Sequence, residues 1–303
     1  MKTITTILMC IIVFLITTAL GMADAPVVQD IMVTDVTPVS FSVIWASDTP
    51  ATPDIRVFTD ADGTNDITAQ LTIIAHPTRN TDGSIVTSAQ NRGVMKVQVS
   101  GLNPDTTYFF QTITWSKATP PEVTYYPSSA PMLQVSMPLA VKRTWADGAD
   151  EIPFSNDLIY MECYLPDGST PAEGTLLVAM VEGSEYPVTG FVGDGIASPF
   201  AYVDLNNVFS SADHKTMALY GGEPITLTKF MGISGSQSED YFVPRNNQLA
   251  EMKAPLIQLP CSGDAEPQDG DVDGLDLAAF AAGLLPGLDL EVFASEFGRT
   301  DCP

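Results

Sequence analysis

The sequence is poor in basic residues and in histidine, and these two shortages exclude whole classes of function. Its 303 residues hold 13 Lys and Arg against 37 Asp and Glu, which gives a net charge of −24 at pH 7. Proteins that neutralise nucleic-acid phosphates or bind anionic membrane surfaces need a basic surface, so we expect neither partner. Only His76 and His214 are available for histidine chemistry, and we expect both at the surface. Because hydrolase, metalloprotease and P-loop motifs are also missing, we expect a non-catalytic protein.

Long hydrophobic runs are missing after the first 20 residues. One lysine precedes an almost unbroken apolar run at residues 7–20, and Gly21 and Ala23 provide small residues at the −3 and −1 positions of a cleavage site. This pattern is typical of a secretory signal peptide, and the run is too short to predict a membrane span. We therefore expect residues 1–23 to be removed before Asp24. The mature chain is then secreted, or held at the cell surface, without a membrane span.

Cysteine is also scarce, with four residues in the chain and one of them inside the predicted signal peptide. Three remain in an oxidising compartment, which allows at most one intramolecular disulfide. Cys261 and Cys302 bracket an acidic C-terminal segment, and we predict that these two are paired. Cys163 shares one face of a predicted strand with Ile159 and Met161, so we expect its thiol in a core; a reactive or intermolecular thiol is the alternative.

Short strands separated by turns occupy residues 26–138, with no helical stretch between them, and this pattern predicts an antiparallel β-sandwich. Residues 101–110 read GLNPDTTYFF and resemble the E–F corner of a fibronectin type III domain, with Trp45 at the place of that family's core tryptophan. The resemblance implies a tyrosine corner, in which the ring of Tyr108 packs in the core and its hydroxyl reaches back to the backbone before the turn. We assign residues 24–138 to a fibronectin type III-like sandwich, a kind of module that binds or spaces.

Residues 139–260 also have the pattern of a β protein, with a buried strand at 175–181 and an alternating strand at 225–230. Residues 167–174 read DGSTPAEG and resemble a strand–turn–strand unit of carboxypeptidase-regulatory-like, transthyretin-like sandwiches. Residues 201–207 resemble a later strand and turn of the same family. The resemblance implies a second small β-sandwich with a structural role.

The C-terminal residues 261–303 differ from the rest of the chain, since they hold 10 acidic residues, one arginine and no lysine. Residues 269–276, DGDVDGLD, place carboxylates at alternating positions with glycines where a tight loop turns. Calcium requires six to eight oxygen ligands, and such a loop supplies them. Apolar residues then recur at helical spacing from Leu277 to Leu284 and again over residues 290–297. We expect a calcium-binding loop with two short helices; a solvated acidic linker is the alternative.

This segment resembles type I dockerins and related EF-hand-like repeats in their single-loop form. In that register Asp276 is the last, bidentate ligand. The resemblance implies three further ligands: Asp269, Asp271 (through its carbonyl) and Asp273. The first and third loop positions fall on residues that cannot ligate, and Asp264 and Glu266 are candidate ligands one residue out of step. A plain EF-hand register starting at Asp269 matches six positions but puts Phe280 where a Glu is required.

Together these patterns predict a mostly β fold of two tandem antiparallel, Ig-like β-sandwiches and a small C-terminal calcium loop with two short helices. The expected function is extracellular binding, adhesion or scaffolding, with an extracellular protein or a polysaccharide as partner. One alternative is a dockerin-bearing component that docks to a cohesin, and another is an accessory module of a polysaccharide-degrading system. Trp115, Tyr125 and Tyr126 are a candidate sugar-stacking strip, although packing in the core or at strand edges is the simpler explanation.

Overall fold

The fold is seen in a computed structural model, which describes most of the chain between residues 25 and 253 and part of the C-terminal segment. The described residues are 25–77, 84–139, 158–165, 168–194, 199–205, 208–217, 219, 221–243, 251–253, 272, 274–283, 290 and 293. They are mostly β, and the strands lie in four sheets. All strand pairs are antiparallel except one. The prediction of a mostly β protein with antiparallel sheets is therefore confirmed.

The N-terminal part of the chain forms two sheets, which we call the N-terminal sheet pair. The strands of sheet A are, in spatial order, β1 (Val28–Thr37), β2 (Ser40–Ser47), β5 (Val94–Ser100) and β4 (Thr72–His76). The strands of sheet B are, in spatial order, β3 (Ala51–Phe58), β6 (Thr107–Ser116) and β7 (Val123–Tyr126), and β8 (Leu133–Ser136) also pairs with β6. Every second residue of these strands faces an apolar core between the two sheets. Its largest members include Phe41, Trp45, Ile55 and Phe110.

Two polar hydrogen bonds fix the aromatic residues of this core. The indole nitrogen of Trp45 donates to Thr114 Oγ1 at 2.9 Å. The hydroxyl of Tyr108 accepts from the backbone N–H of Asn103 at 3.0 Å, while the ring lies in the core. The hydrogen bond expected of a tyrosine corner is therefore present, and it ties the start of β6 to the turn before it.

A helix interrupts the strands of sheet A, contrary to the expectation that no helical stretch separates them. Helix α1 (Ser84–Asn91) lies between β4 and β5. Ile85 and Ala89 are spaced one helical turn apart and are both buried, so the helix presents one apolar face to the protein. Gly93 follows two residues after the helix ends, and its φ of +67° is the left-handed conformation that glycine adopts just beyond helix C-termini.

The middle of the chain forms the second pair, the central sheet pair. The strands of sheet C are, in spatial order, β11 (Val188–Phe191), β10 (Leu176–Val181), β13 (Pro224–Phe230) and β14 (Ser236–Phe242). The strands of sheet D are, in spatial order, β12 (Phe200–Asp204), β9 (Leu158–Glu162) and β15 (Glu251–Lys253), of which β15 runs parallel to β9. Met161, Ala201 and Val203 of sheet D pack with Leu177 and Leu227 of sheet C in one apolar cluster.

The two sheet pairs are packed against each other through a third apolar cluster, in which sheet A meets sheet C. Its members are Ile44, Ala46, Ala89, Val94, Leu176, Val178, Phe191 and Phe230. Strand β2 is consequently buried on both faces, and all its residues after the first are buried. The sequence of residues 40–45, SFSVIW, begins with alternating polar and apolar residues, a pattern typical of a strand with one wet face. That wet face is instead covered by sheet C.

A polar cluster lies at the edge of this junction. Lys96 Nζ lies 2.9 Å from Asp35 Oδ2, and the two side chains keep only 10% and 20% of their exposure. Thr189 of sheet C joins them, since its N–H and hydroxyl donate to the Asp35 carboxylate at 2.7 and 2.6 Å. Its hydroxyl oxygen also accepts from Lys96 Nζ at 2.7 Å. The only charges of this cluster are thus paired and hydrogen-bonded across the two sheet pairs, as partly buried charges require.

Two glycines allow the backbones of the two sheet pairs to touch. A Cβ on Gly232 would lie 2.0 Å from the carbonyl oxygen of Arg92, and a Cβ on Gly174 would lie 2.4 Å from the amide nitrogen of Ala89. The backbone N–H of Ile233 donates to the same Arg92 carbonyl at 2.8 Å. The junction therefore includes direct contacts between the two main chains as well as contacts between side chains, and glycine allows this close approach.

Helix α2 (Gly274–Ala281) is the described element of the C-terminal segment. It overlaps the first predicted short helix, but it begins at Gly274, three residues before Leu277 and inside the segment predicted as the loop. The rings of Phe280 and Phe293 stack, with centroids 4.8 Å apart and planes 18° from parallel. Among the described helices, none is long and apolar enough to cross a membrane.

Candidate binding surface

The predicted calcium ligands lie mostly outside the described residues. These are Asp264, Glu266, Asp269, Asp271 and Asp273. Asp276 lies in the first turn of α2 and is only 3% exposed. A buried carboxylate at a helix N-terminus is stabilised by the helix dipole, and its oxygens are of the type that calcium prefers. Within the described ranges there is no group of three or more His, Cys, Asp or Glu side chains that could hold a metal.

The predicted buried thiol is confirmed. Cys163 is free and fully buried in the cluster between sheets C and D. Burial raises the pKa of its thiol to about 11, and the nearby positive charge of Lys229 opposes this shift without cancelling it. Since the thiolate is the reactive form and the side chain is buried, we expect this cysteine to react only after unfolding. The predicted partners Cys261 and Cys302 lie outside the described residues.

The two histidines contact different carboxylates and do not share a site. His76 is the last residue of β4, with its side chain 20% exposed and its Nδ1 3.9 Å from Asp194 Oδ2. It is therefore not the loop-surface residue that we expected. His214 Nδ1 lies 2.6 Å from Glu185 Oε2 and its side chain is 61% exposed, as expected of a surface residue. The hydrogen bond to Glu185 raises the pKa of His214.

Trp115 and Tyr125, by contrast, lie on one exposed surface. Strand β6 pairs with β7 so that Ile113 is opposite Tyr125 and Trp115 is opposite Val123. Residues opposite each other point to the same side of a sheet, and Trp115 and Tyr125 are therefore diagonal neighbours on that side. Phe110 and Thr114 of β6 point into the core, so the side with Trp115 is the outer side of sheet B. We call this the outer face of sheet B.

Tyr126 does not belong to this surface, so the predicted strip of three aromatic residues is wrong in one member. Consecutive residues of a strand point to opposite sides, and Tyr126 lies opposite Thr112 on the inner side of sheet B. There it lines a groove of about 290 Å³ together with Val28, Phe110 and Leu133.

Two charged residues of β3 complete the outer face, and the sequence analysis did not single them out. Arg56 pairs with Gln111 and Asp54 pairs with Ile113, so both point outward beside the aromatic residues. The guanidinium carbon of Arg56 lies 5.9 Å from the centre of the Tyr125 ring, a cation–π contact. The alternation of exposed Asp54 and Arg56 with buried Ile55 and Val57 was a usable signal for their outward direction. Their partners could be found only once the pairing of β3 with β6 was known.

Aromatic and charged groups are accessible to solvent together on the outer face of sheet B. Trp115 and Tyr125 are 38% and 37% exposed, and Asp54 and Arg56 are also exposed. Ile113 lies between them on the same side and is only 6% exposed. The face can therefore stack against a ring, donate hydrogen bonds through Arg56 and accept them through Asp54. No protein-family model and no curated protein matches the chain.

Proposed function

We propose that the protein is a secreted, non-catalytic binding or scaffolding protein that acts outside the cell or on its surface. The observation that carries the proposal is the pair of features just described. A buried apolar junction joins the two sheet pairs, and the outer face of sheet B exposes aromatic and hydrogen-bonding side chains to solvent. An extracellular scaffold requires such an exposed binding face on a packed support, because a preformed face lowers the entropic cost of binding.

The proposal includes two β-sandwiches of known types. In the N-terminal sheet pair, the order β1–β2–β5–β4 opposite β3–β6–β7 corresponds to the A-B-E-D and C-F-G strands of Ig-like sandwiches. The hydrogen bond of Tyr108 supports the resemblance to a fibronectin type III domain. In the central sheet pair, the bridge between Tyr164 and Pro171 supports the strand–turn–strand unit of a carboxypeptidase-regulatory-like domain.

Expression of the whole chain in a bacterial host, followed by cell fractionation and N-terminal sequencing, tests this function. We expect the protein in the medium or at the cell surface, with Asp24 as its first residue, because the apolar run and the small residues before Asp24 form a signal peptide. A variant with two leucines of the run replaced by arginine is the control, and it should stay in the cytoplasm. Uncleaved wild-type protein in the cytoplasm would contradict the proposal.

The C-terminal residues 261–303 are proposed as a calcium-stabilised cap in the manner of a dockerin. Asp269, Asp271, Asp273 and Asp276 would hold the ion, with Asp264 and Glu266 as weaker candidates. Bound calcium would neutralise carboxylates that repel each other at close range. The buried position of Asp276 in the first turn of α2 supports its inclusion.

Titration calorimetry of the metal-free mature protein checks the calcium site. We expect binding of one calcium ion and a gain in stability of about 2.7 kcal/mol at a hundredfold excess over Kd. Asp273→Ala should abolish the heat, and magnesium should substitute poorly because it prefers a rigid octahedron and keeps its waters. Asp213→Ala, which changes an exposed acid far along the sequence, is the matched control. No calcium heat from the wild-type protein would leave the acidic segment as a solvated tail.

A second candidate function is an accessory module of a polysaccharide-degrading system. The exposed Trp115 and Tyr125 favour it, since exposed aromatic rings beside hydrogen-bonding groups suit sugar rings. A dockerin that docks to a cohesin stays a further alternative, which depends on residues 261–303.

A further inference from the structure

The outer face of sheet B has the chemistry of a carbohydrate-binding surface. We propose that it binds a neutral polysaccharide chain, which lies across strands β3, β6 and β7. The proposal rests on the extracellular binding function proposed above and gives that function its ligand class. Arg56, Trp115 and Tyr125 are the central residues, and each comes from a different strand.

The aromatic residues carry the first part of the argument. Trp115 and Tyr125 keep 38% and 37% of their surface in water, although each is large enough to be buried with a substantial gain in free energy. They are diagonal neighbours on adjacent strands, about 7–8 Å apart between their Cα atoms in ordinary sheet geometry. A pyranose ring has one face of C–H groups, and such a face stacks on an indole or phenol ring. The pair therefore offers two exposed aromatic rings on one face of the sheet against which sugar rings can stack.

The polar residues beside the aromatic pair determine which ligands can form hydrogen bonds while they stack on the rings. Arg56 provides only hydrogen-bond donors and Asp54 only acceptors, and both are exposed beside the aromatic pair. Sugar hydroxyls both donate and accept, so a saccharide can satisfy the two side chains at once. The guanidinium carbon of Arg56 lies 5.9 Å from the centre of the Tyr125 ring, and this cation–π contact favours the conformation in which the two side chains lie together. A side chain that is partly held before the ligand arrives loses less entropy on binding.

Charge decides which polysaccharide fits. The chain carries a net charge of −24, so an acidic polymer would be repelled as it approaches. On the face itself Arg56 and Asp54 are exposed and have opposite signs, so their two formal charges sum to zero. A neutral glycan is repelled neither by the net charge of the chain nor by the charges on the outer face of sheet B. A basic protein is the competing occupant, since it would be attracted by the net charge.

The test uses the mature protein, residues 24–303, and four neutral β-1,4-linked hexasaccharides: those of glucose, N-acetylglucosamine, xylose and mannose. We expect titration calorimetry to detect binding of at least one of them. Trp115→Ala should weaken that binding at least tenfold, and Arg56→Ala should weaken it less. Tyr126→Ala and Tyr202→Ala remove tyrosines of similar exposure elsewhere, 44% and 40%, and should leave the affinity unchanged. Unchanged thermal unfolding of Trp115→Ala would show that the loss is local.

Three outcomes would overturn the proposal. The first is that none of the hexasaccharides binds the wild-type protein, and the second is that Trp115→Ala binds as well as the wild type. The third is that a basic protein such as lysozyme binds the wild type and loses affinity in Trp115→Ala, while binding of the sugars does not depend on Trp115. Each of these can occur with correct secretion and cleavage before Asp24, and then only the ligand class fails. Retention of uncleaved protein in the cytoplasm would instead remove the extracellular function itself.

Discussion

Replacing Gly232 by alanine should separate the two sheet pairs and lower the melting temperature more than any exposed substitution. The new Cβ would lie 2.0 Å from the carbonyl oxygen of Arg92, a distance that forces the two backbones apart. The same movement breaks the hydrogen bond from Ile233 N–H to that carbonyl. The φ of +63° at Gly232 adds the cost of a left-handed alanine. We expect the free energy of unfolding to fall by about 4 kcal/mol in total. The melting temperature should fall by about 2–4 °C for each kcal/mol that is lost.

Gly235 gives an internal control for this result. It belongs to the same turn and has a φ of +83°, but a Cβ there would have nothing within 4 Å. Gly235→Ala should therefore show only the conformational cost, about 1–3 kcal/mol, because its φ of +83° and ψ of −155° define a region adopted essentially by glycine alone. Differential scanning calorimetry of both variants separates the steric effect from the conformational one. We also expect one unfolding transition for the wild type and two for Gly232→Ala. Equal melting temperatures for the two variants would mean that the contact with Arg92 does not hold the junction.

The second large effect is expected from Lys96→Met. This change removes a charge that lies 2.9 Å from Asp35 Oδ2 and leaves the carboxylate in a largely buried position without its counter-ion. Breaking a buried ion pair in this way costs about 3 kcal/mol or more, because the remaining charge is not compensated. Urea unfolding of Lys96→Met and of the exposed control Lys117→Met should show a large loss for the first and almost none for the second. Similar unfolding midpoints for the two variants would contradict a stabilising role of the pair.

The same cluster predicts how stability depends on pH. Burial alone would raise the pKa of Asp35, but the charge of Lys96 and the hydrogen bonds from Thr189 and Lys96 outweigh it, so the pKa is lowered from 3.8. A carboxyl with a lower pKa in the folded state stabilises the protein above its unfolded pKa, and this contribution is lost as the pH falls through the folded value. The difference in stability between wild type and Asp35→Asn should thus be constant near neutrality and shrink below about pH 4. A difference that is the same at pH 7 and pH 3 would refute the coupling.

Local motifs were predictable from the sequence, and contacts between distant residues were not. The hydrogen bond of Tyr108 to Asn103 spans five residues, and the GLNPDTTYFF segment contains both partners. The junction joins Asp35 to Thr189, which are 154 residues apart. Lys96 stands at a position that alternation assigns to solvent, and it lies in the junction because sheet C covers that side of β5. Polar spacing indicates which residues share a face, but it does not reveal what lies opposite that face.

On the outer face of sheet B, too, the direction of a side chain was predictable from the sequence, and its neighbours on other strands were not. That Tyr125 and Tyr126 point to opposite sides follows from their adjacency in a strand, so the sequence alone could have excluded Tyr126 from the strip. That Tyr125 and Trp115 are neighbours depends on the register of β6 with β7, which the connecting turn sets. Arg56 lies on a third strand, β3, and its place on the surface depends on a second register, that of β3 with β6. Each additional strand adds a register that strand patterns do not determine.

The burial of β2 on both faces has a consequence for the evolution and the engineering of this protein. β-Sandwich modules are commonly exchanged between proteins as independent units, because each covers its own core and presents polar faces to water. Sheet A cannot be transferred in this way: without sheet C it would expose Ile44, Ala46 and Val94 as one apolar patch, which is a site for aggregation. We therefore expect the two sheet pairs to fold only together. A transfer of either pair to another protein should be tolerated only if the transferred segment includes both.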